Sequence, residues 1–401
     1  MTQYNKLKQA SVFTASALAL AVASASHAVD FEVGDTKASV YGYAKLDMIY
    51  DVDDKLGNAL SHKNISLDGA DGSDGHTTLH AYQSRIGFST STPVAGSTLE
   101  TKIEGDFYGS GGGELRLRHA YGSWNGILAG QTWTNLYGFV AGTPTIDFTG
   151  THGTGNQARQ AQLRYTTGNF SVSLEEPDEL GGNEDADYAY AKDVTVNGAV
   201  IGQEAATGDA AKSELPDLIA RYTDTSGPFK YSMSGVLRQL EYDADGQANA
   251  PANYGDDTAT GWGITLEAAM DVTEALTLRG GVIHGEGLGG YQNVSPMAAP
   301  AYVNSDGDLE AIEATGGTLG ASLKAGPGAI NAAYSVSTVD LDDEEIADTA
   351  NDTYETVHLN YIWSPAERVS YGIETSWVSR ETKGGDDGDA TRIQGMVMYS
   401  F

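Results

Sequence analysis

The chain has 401 residues and a formal net charge of −32, with 55 acidic and 23 basic side chains. This acidity argues against nucleic acid as a partner, because binding to phosphates requires basic surfaces. The sequence has no cysteine, so the fold of an exported form does not depend on disulfides.

The N-terminal region has the pattern of a secretory signal peptide. Lys6 and Lys8 precede a stretch of small and apolar residues at 10–25, and residues 26–28, Ser-His-Ala, fit a cleavage site. An anchoring helix is the alternative, but the apolar stretch is too short and too rich in Ala and Ser. We predict a signal peptide at 1–28, a short periplasmic segment at 29–37 and a barrel domain at 38–401.

Sixteen later segments have apolar residues at period two, which predicts an all-β protein: a sixteen-stranded antiparallel transmembrane β-barrel. Most are long enough to cross a bilayer when tilted, since about 9–11 residues are needed. The predicted strands are Ala38–Tyr50, Thr78–Thr92, Ser97–Tyr108, Glu114–Trp124, Gly126–Thr134, Arg159–Thr166, Phe170–Glu176, Leu215–Thr223, Phe229–Tyr242, Gly261–Asp271, Leu276–Glu286, Glu313–Ala325, Ala329–Val339, Thr353–Ser364, Arg368–Arg380 and Thr391–Phe401.

The last strand and the connections support this interpretation. Ile393, Val397, Tyr399 and Phe401 share one face of the final strand, as expected of a lipid-facing strand that closes a barrel. Tight turns rich in Gly, Pro, Asn and Asp alternate with mostly long connections. Short turns on one side and long loops on the other are typical of Gram-negative outer-membrane barrels, so we expect that localisation, with outer-membrane lipid and lipopolysaccharide as surroundings.

One residue does not fit the lipid-facing pattern. Strict alternation along Glu114–Trp124 puts His119 on the outward face. A histidine is unexpected against lipid and would be reasonable at a subunit interface. We therefore expect His119 to lie between the subunits of a homotrimer.

Basic side chains concentrate on the inward face of the strands rather than in the loops. An arginine at about 4 Å from a passing carboxylate contributes roughly 1 to 4 kcal/mol, and loop carboxylates more than about 8 Å away are largely screened. We predict anion selectivity at the constriction from Arg85, Arg116, Arg118 and Arg164. The alternative is a structural ladder with Glu100, Glu104 and Asp106. The full set of predicted pore-lining residues is Arg85, Lys102, Arg116, Arg118, Gln131, Trp133, Arg159, Arg164, Arg238 and Arg279.

The connection Asn135–Ala158 has an unusual composition for an exposed loop. It is rich in Gly and Thr, contains several apolar residues and has a single carboxylate. Such a loop has a reason to fold into the lumen and narrow it. Its candidate constriction residues are Asn135, Phe139, Asp147 and Phe148.

Catalytic and metal motifs are missing from the sequence. There is no Gly-x-Ser-x-Gly motif, and the eight histidines show no metal-ligand spacing. We therefore expect no enzyme activity, no cofactor and no metal centre.

Four stretches resemble the DcaP-like porins: Val40–Asp47 (VYGYAKLD), Ser84–Phe88 (SRIGF), Arg118–Trp124 (RHAYGSW) and Leu128–Asn135 (LAGQTWTN). The resemblance covers essentially the whole chain after the signal peptide and is strongest from Val40 to Asp147. It implies trimeric sixteen-stranded channels with the third extracellular loop folded inward, a basic constriction, and uptake of dicarboxylates and aromatic acids. Some members carry a helical extension before the barrel, whereas here only residues 29–37 precede it.

The favoured function is therefore an outer-membrane porin for passive diffusion of small anionic solutes. A non-selective general diffusion pore is one alternative. A structural or adhesive barrel with acidic ligand-binding loops is another, and single-channel conductance distinguishes it from a pore.

Overall fold

A computed structural model describes residues 28–67, 70, 72, 74–177, 191–196, 199–205, 211–243, 255–297, 299–304, 306–341 and 346–401. The predicted signal peptide lies outside these residues, apart from residue 28. Among the described helices, none is long and apolar enough to cross a membrane.

Within the described residues, sixteen antiparallel strands form a closed barrel, which confirms the predicted architecture. Each strand pairs with the next, and the last pairs with the first from Tyr43 opposite Ser400 to Asp51 opposite Arg392. The barrel strands are β1 Thr36–Asp51, β2 in two parts His76–His80 and Arg85–Val94, β3 Ser97–Gly109, β4 Glu114–Trp124, β5 Ile127–Trp133, β6 Arg159–Thr167, β7 Phe170–Glu175, β8 Asp217–Ser226, β9 Phe229–Asp243, β10 Asp256–Asp271, β11 Leu276–Glu286, β12 Glu313–Ala325, β13 Gly328–Val339, β14 Asn351–Ala366, β15 Val369–Thr382 and β16 Asp387–Ser400.

Short elements accompany the barrel. Val29–Val33 pairs with the start of β1, so part of the predicted 29–37 segment forms a hairpin with the barrel wall. Ala211–Lys212 pairs with the end of β9. Two separate hairpins are Ala191–Val196 with Ala199–Ala205 and Ala301–Val303 with Leu309–Ala311, and single 3-10 turns lie at His62–Asn64 and Gly289–Tyr291.

The tight turns explain how neighbouring strands are joined on one side of the barrel. Ala95 and Gly96 have φ values of 48° and 82°, and Asn125 and Gly126 have values of 51° and 83°. Two consecutive positive φ angles are the signature of a type I′ turn, whose twist matches that of antiparallel strands. The other ends of the strands carry the longer connections, as the sequence predicted.

The outer surface of the barrel is apolar because every second strand residue points outward. Leu46 is 39% exposed, Ile86 is 50% exposed and Leu117 is 48% exposed, whereas their strand neighbours are more buried. Large exposed apolar side chains in this pattern suit a surface that contacts lipid.

The predicted strand Thr78–Thr92 is interrupted at residues 81–84. Here the Ser84 N–H donates to the Ala81 carbonyl, and the Tyr82 ring turns to stack on His80 with 4.6 Å between ring centroids. The stacked pair takes Tyr82 out of the strand alternation. A local turn therefore replaces the extended conformation that the sequence pattern predicted for residues 81–84.

A β-bulge in β4 overturns the outward placement of His119. Glu104 of β3 pairs with His119, but the next residue, Gly105, pairs with Leu117, so Arg118 is the extra residue. A bulge shifts the alternation by one position. Arg118 and His119 are consequently both buried, at 2% and 3% exposure, and His119 contacts Thr132 and Trp133 rather than a second subunit.

Candidate functional site

Carboxylates on the strands hold the connection between β5 and β6, here called the 134–158 segment. Glu374 of β15 accepts hydrogen bonds from the backbone N–H of Ile146 at 2.9 Å and Asp147 at 2.8 Å. Glu175 of β7 accepts the N–H of Asn135 at 2.7 Å. Paired backbone donors of this kind fix a segment that has no regular secondary structure of its own.

The backbone of the segment also lies very close to the strands at two of its glycines. A Cβ atom at Gly138 would lie 2.1 Å from the Glu267 carboxylate, and one at Gly153, where φ is +77°, would lie 2.6 Å from the backbone nitrogen of Gly317. Only glycine fits both places. Leu136 of the segment also packs with apolar residues of the strands in a buried cluster that includes Ile219, Val236 and Ile283. These contacts agree with a segment folded toward the lumen.

Arg392 of the last strand links the segment to the barrel seam. Its Nη1 atom lies 2.8 Å from Asp147 Oδ2, and its Nε atom lies 2.7 Å from Asp51 Oδ1. Burial favours a raised pKa for Asp147, but Arg392 and the Thr149 N–H outweigh it and hold that pKa below its usual value. Asp147 lines the cavity described below as part of this ion pair.

Four cations from β2, β3 and β4 share two carboxylates of β3. The cations are Arg85, Lys102, Arg116 and Arg118, and the carboxylates are Glu104 and Asp106. Arg118 contacts both carboxylates, at 3.0 Å to Glu104 and 2.8 Å to Asp106. This arrangement contains the Glu104 and Asp106 part of the ion-pair ladder that the sequence left open, whereas Glu100 is exposed and is outside the group. Cations outnumber carboxylates, which leaves a net charge of +2 within the group.

Arg159 differs from these cations because it has an aromatic neighbour in place of an acidic one. Its guanidinium lies 4.9 Å from the centroid of the Trp133 ring, whose centroid is also 5.4 Å from the Arg118 guanidinium. Within the described part of the chain, no carboxylate is within ion-pair distance of Arg159. A cation over an aromatic face keeps its full charge available to a solute.

Arg279 of β11 is a second cation without a carboxylate partner among the described residues. Its Nη1 atom donates to Ser322 Oγ at 2.7 Å, and the described residues supply no carboxylate partner. A neutral hydroxyl fixes the position of the guanidinium without neutralising its charge.

A cavity of about 180 Å³ brings these groups together between the strands and the 134–158 segment. Phe139, with a strained φ of +61°, places its ring 5.4 Å from Trp133 on one side of it. The predicted site residues that line the cavity are Arg85, Arg118, Trp133, Phe139, Asp147, Phe148, Arg159 and Arg279.

The remaining predicted site residues lie elsewhere. Lys102 lines a separate pocket beside Val29–Val33. Arg116 binds Asp106 and lies 5.6 Å from the Phe148 ring, at the edge of the cavity. Arg164 donates to the Trp133 carbonyl, and Asn135 is fully buried at the start of the segment.

Gln131 and Arg238 are also outside the cavity. Gln131 pairs with Ala120 and Ala161, on the face opposite that of the buried Gln160, and its amide donates toward the Leu117 carbonyl at the bulge. Arg238 is 5% exposed and donates to the Gly287 and Leu288 carbonyls. The structure therefore places Gln131 on the outer face and Arg238 within a buried hydrogen-bond network.

Several cavity residues were not predicted individually. The threonine hydroxyls of the segment form much of the wall that faces the arginines. In the sequence, only the Gly- and Thr-rich composition of the segment indicated them. Asn293 comes from the connection after β11, and nothing in the sequence pointed to it. These additional lining residues include Thr143, Thr145, Thr149, Thr151, Gln157 and Asn293. Among the described residues, no cluster of three His, Asp or Glu side chains could hold a metal ion.

Comparison with known proteins identifies the class of barrel. The model of the family described as DcaP outer membrane protein matches residues 3–173, which confirms the resemblance expected from the sequence. No curated protein matches the chain. The matched family is one of outer-membrane proteins, and the solved structures that the chain resembles include a channel and several porins.

Solved structures have the same fold. The outer membrane channel DcaP of Acinetobacter baumannii is 23% identical, with a TM-score of 0.74, over 92% of this chain and 99% of that chain. A trimer form of OmpT from Vibrio cholerae is 14% identical, with a TM-score of 0.52, over 91% and 99%. An anion-selective porin from Comamonas acidovorans is 13% identical, with a TM-score of 0.53, over 91% and 100%. These likenesses show that the chain shares the barrel fold of porins.

Proposed function

We propose that this outer-membrane barrel, whose first part matches the DcaP family, is a passive channel for small anionic solutes. The solutes are organic acids, including dicarboxylates and aromatic acids. The 134–158 segment narrows the lumen and leaves a path beside Arg118, Trp133 and Arg159. We propose the same path for dicarboxylates and for aromatic acids.

The observation that carries this proposal is the charge state of the cavity wall. Arg159 and Arg279 line the cavity and have no carboxylate partner in the described structure, while Asp147, the one acidic residue of the lining, is paired with Arg392. An anion at about 4 Å from such a guanidinium gains roughly 1 to 4 kcal/mol. Carboxylates more than about 8 Å from the cavity are largely screened from a solute inside it.

Aromatic solutes have a specific reason to bind here. Trp133 and Phe139 present rings beside Arg159, so a flat solute can stack while its carboxylate meets the guanidinium. The Thr145 and Thr149 hydroxyls of the opposite wall already donate to backbone carbonyls, whereas the Thr143 hydroxyl makes no hydrogen bond among the described residues and can donate to a second carboxylate or hydroxyl of the solute.

Ion selectivity in planar bilayers tests the proposal. Under a tenfold KCl gradient, the channel should give a reversal potential of the anion-selective sign, which weakens as ionic strength rises. Arg159→Gln and Arg279→Gln should each move it toward zero. Lys212→Gln, which removes an equal charge from an exposed site, is the matched control. Cation selectivity, or indifference to Arg159 and Arg279, would favour a general diffusion pore, and no conductance at all would favour an adhesive barrel.

We also propose a homotrimer surrounded by outer-membrane lipid and lipopolysaccharide. The family resemblance alone supports the trimer, because His119 is buried and does not mark a subunit interface.

Outward aromatic residues at the turn side suit a lipid interface, such as Tyr361 and Trp363, whose ring centroids are 5.2 Å apart. Cross-linking in native outer membranes should capture three copies, and a species that stays monomeric would contradict the trimer.

A further inference from the structure

Two buried histidines meet where the connection 52–75, the 134–158 segment and the barrel wall join. His62 belongs to the 3-10 turn of the first connection and His152 to the segment. Both are 1% exposed, and their ring centroids are 5.2 Å apart at an interplanar angle of 79°. Neither residue takes part in the cavity described above.

Both rings use the same hydroxyl on β14. Thr356 Oγ1 lies 2.8 Å from His62 Nε2 and 3.0 Å from His152 Nε2. His62 Nε2 also faces the Glu355 carbonyl at 3.2 Å, so this nitrogen carries the proton. Because the hydroxyl has one hydrogen, Thr356 then donates to His152 Nε2, and His152 Nδ1 donates to Ser337 Oγ at 2.8 Å. These hydrogen bonds require the His152 ring to be neutral, because its Nε2 must accept, whereas the Nδ1 atom of His62 takes part in none of them.

A second proton on either ring has no acceptor within the described residues. His62 Nδ1 is buried and makes no hydrogen bond there. A proton on His152 Nε2 would confront the hydroxyl hydrogen of Thr356. Protonation therefore either leaves a buried cation without a partner or breaks the contact that joins the segment to β14.

The charged groups nearby are already bonded. Glu374 accepts two backbone N–H groups of the segment and lies 3.7 Å from His358, which itself contacts Ser376. Asp147 is paired with Arg392. The other faces around the histidines carry uncharged groups: the stacked Tyr354 ring, the Ser335 and Ser337 hydroxyls and the Asn293 carbonyl.

We propose that His62 and His152 form a pH-sensitive latch that holds the part of the 134–158 segment around His152 against the wall at neutral pH and releases that part into the conducting path in acid. The readout rests on the proposed channel function, but it does not depend on the preference for anions. Both members of the latch lie in connections rather than in strands, so release leaves the barrel intact.

The direction of the pH effect follows from burial. Burial lowers the pKa of His62 to about 4 and holds the pKa of His152 well below its ordinary 6.5. A histidine with a lower pKa in the folded latch binds fewer protons there than in the released segment. The latch is therefore fully stable above pH 6.5 and loses stability as the pH falls toward 4.

Single-channel conductance between pH 7.5 and 4 tests the latch. The wild type should show a reversible loss of open conductance as the pH falls from 6.5 to 4. In the double variant with His62→Gln and His152→Gln, that step should disappear. The control His284→Gln removes a histidine that is 51% exposed on β11, and it should leave the step unchanged.

A hydrogen-exchange measurement on the wild type tests the latch even if the double variant does not fold. In the wild type, peptides covering residues 140–158 should lose protection at pH 4.5 relative to pH 7.5, after correction for intrinsic rates, while strand peptides keep theirs. No conductance step in the wild type, a step that persists in the double variant, or unchanged protection of 140–158 would overturn the latch. The reversal potential at pH 7.5 tests the anion channel separately.

Discussion

Arg392 Nη1 lies 2.8 Å from Asp147 Oδ2, which joins the closing strand of the barrel to a segment 245 positions earlier in the chain. The same guanidinium binds Asp51 of the first strand, and both side chains of the Arg392–Asp147 pair are fully buried. One side chain thus connects the barrel seam, where β16 meets β1, to the segment that we propose narrows the pore.

Loss of this guanidinium should destabilise the protein strongly. Arg392→Met leaves Asp51 and Asp147 buried without a cation, and breaking a buried ion pair costs about 3–5 kcal/mol. We expect unfolding at a clearly lower temperature in heat-modifiability gels and noisier single-channel traces. Lys212→Met, at an exposed ion pair, should change neither measurement appreciably. Equal thermal stability of the two variants would contradict the structural role given to Arg392.

The Asp147–Arg392 pair should respond to acid in a different pH range from the histidines. Because the pKa of Asp147 lies below its ordinary value of 3.8 when the protein is folded, its contribution is complete above that value and is lost as the pH falls further. The stability difference between the wild type and Asp147→Asn should stay constant from pH 8 to 5 and shrink below 3.8. A difference that shrinks near pH 6 would show that another group titrates.

Removal of one buried carboxylate should increase anion selectivity. Glu104→Gln leaves four cations with Asp106 alone, so the net charge of the group rises from +2 to +3. The reversal potential should move further in the anion-selective direction, measured at low salt where screening is weakest. Glu100→Gln removes the same charge from an exposed position on the same strand and should have a smaller effect. A larger shift with Glu100→Gln would contradict the assigned position of the selectivity region.

Trp133 should distinguish aromatic from aliphatic acids. Trp133→Leu removes the ring beneath Arg159, and such a cation–aromatic contact contributes about 0.5–2 kcal/mol. Channel block by benzoate should weaken several-fold, whereas block by acetate should weaken less. Trp363→Leu, on the turn side of the barrel, is the control. Equal weakening for both acids would mean that Trp133 only positions Arg159.

Most of the barrel could be predicted from the sequence because strand alternation and turn chemistry are local. The bulge at Arg118 could not, since the residues around it, R-L-R-H-A-Y, read as uninterrupted alternation, and its position depends on pairing with β3. This one shift moved His119 to the interior. The outward position of Gln131 likewise depends on its partners Ala120 and Ala161.

The candidate site was predictable only as a set of cations. Alternation put Arg85 and Arg118 on the lumen face, but it gave Arg159, the first residue of β6, the opposite parity from Gln160 and Arg164. It also could not tell which of the three arginines meets a carboxylate. Glu104 and Asp106 engage the first two, whereas Arg159 meets Trp133. Such pairing is set by side-chain distances between strands, and the alternation pattern carries no information about them.

The shared carboxylates also affect how the channel can evolve. Because four cations surround Glu104 and Asp106, a substitution that removes any one of them still leaves the group with a positive charge, and Arg159 and Arg279 add to it. Solute preference should therefore drift by small steps, and reversal of its sign requires several substitutions together. The positive charge of this region can therefore change gradually, one side chain at a time, during evolution.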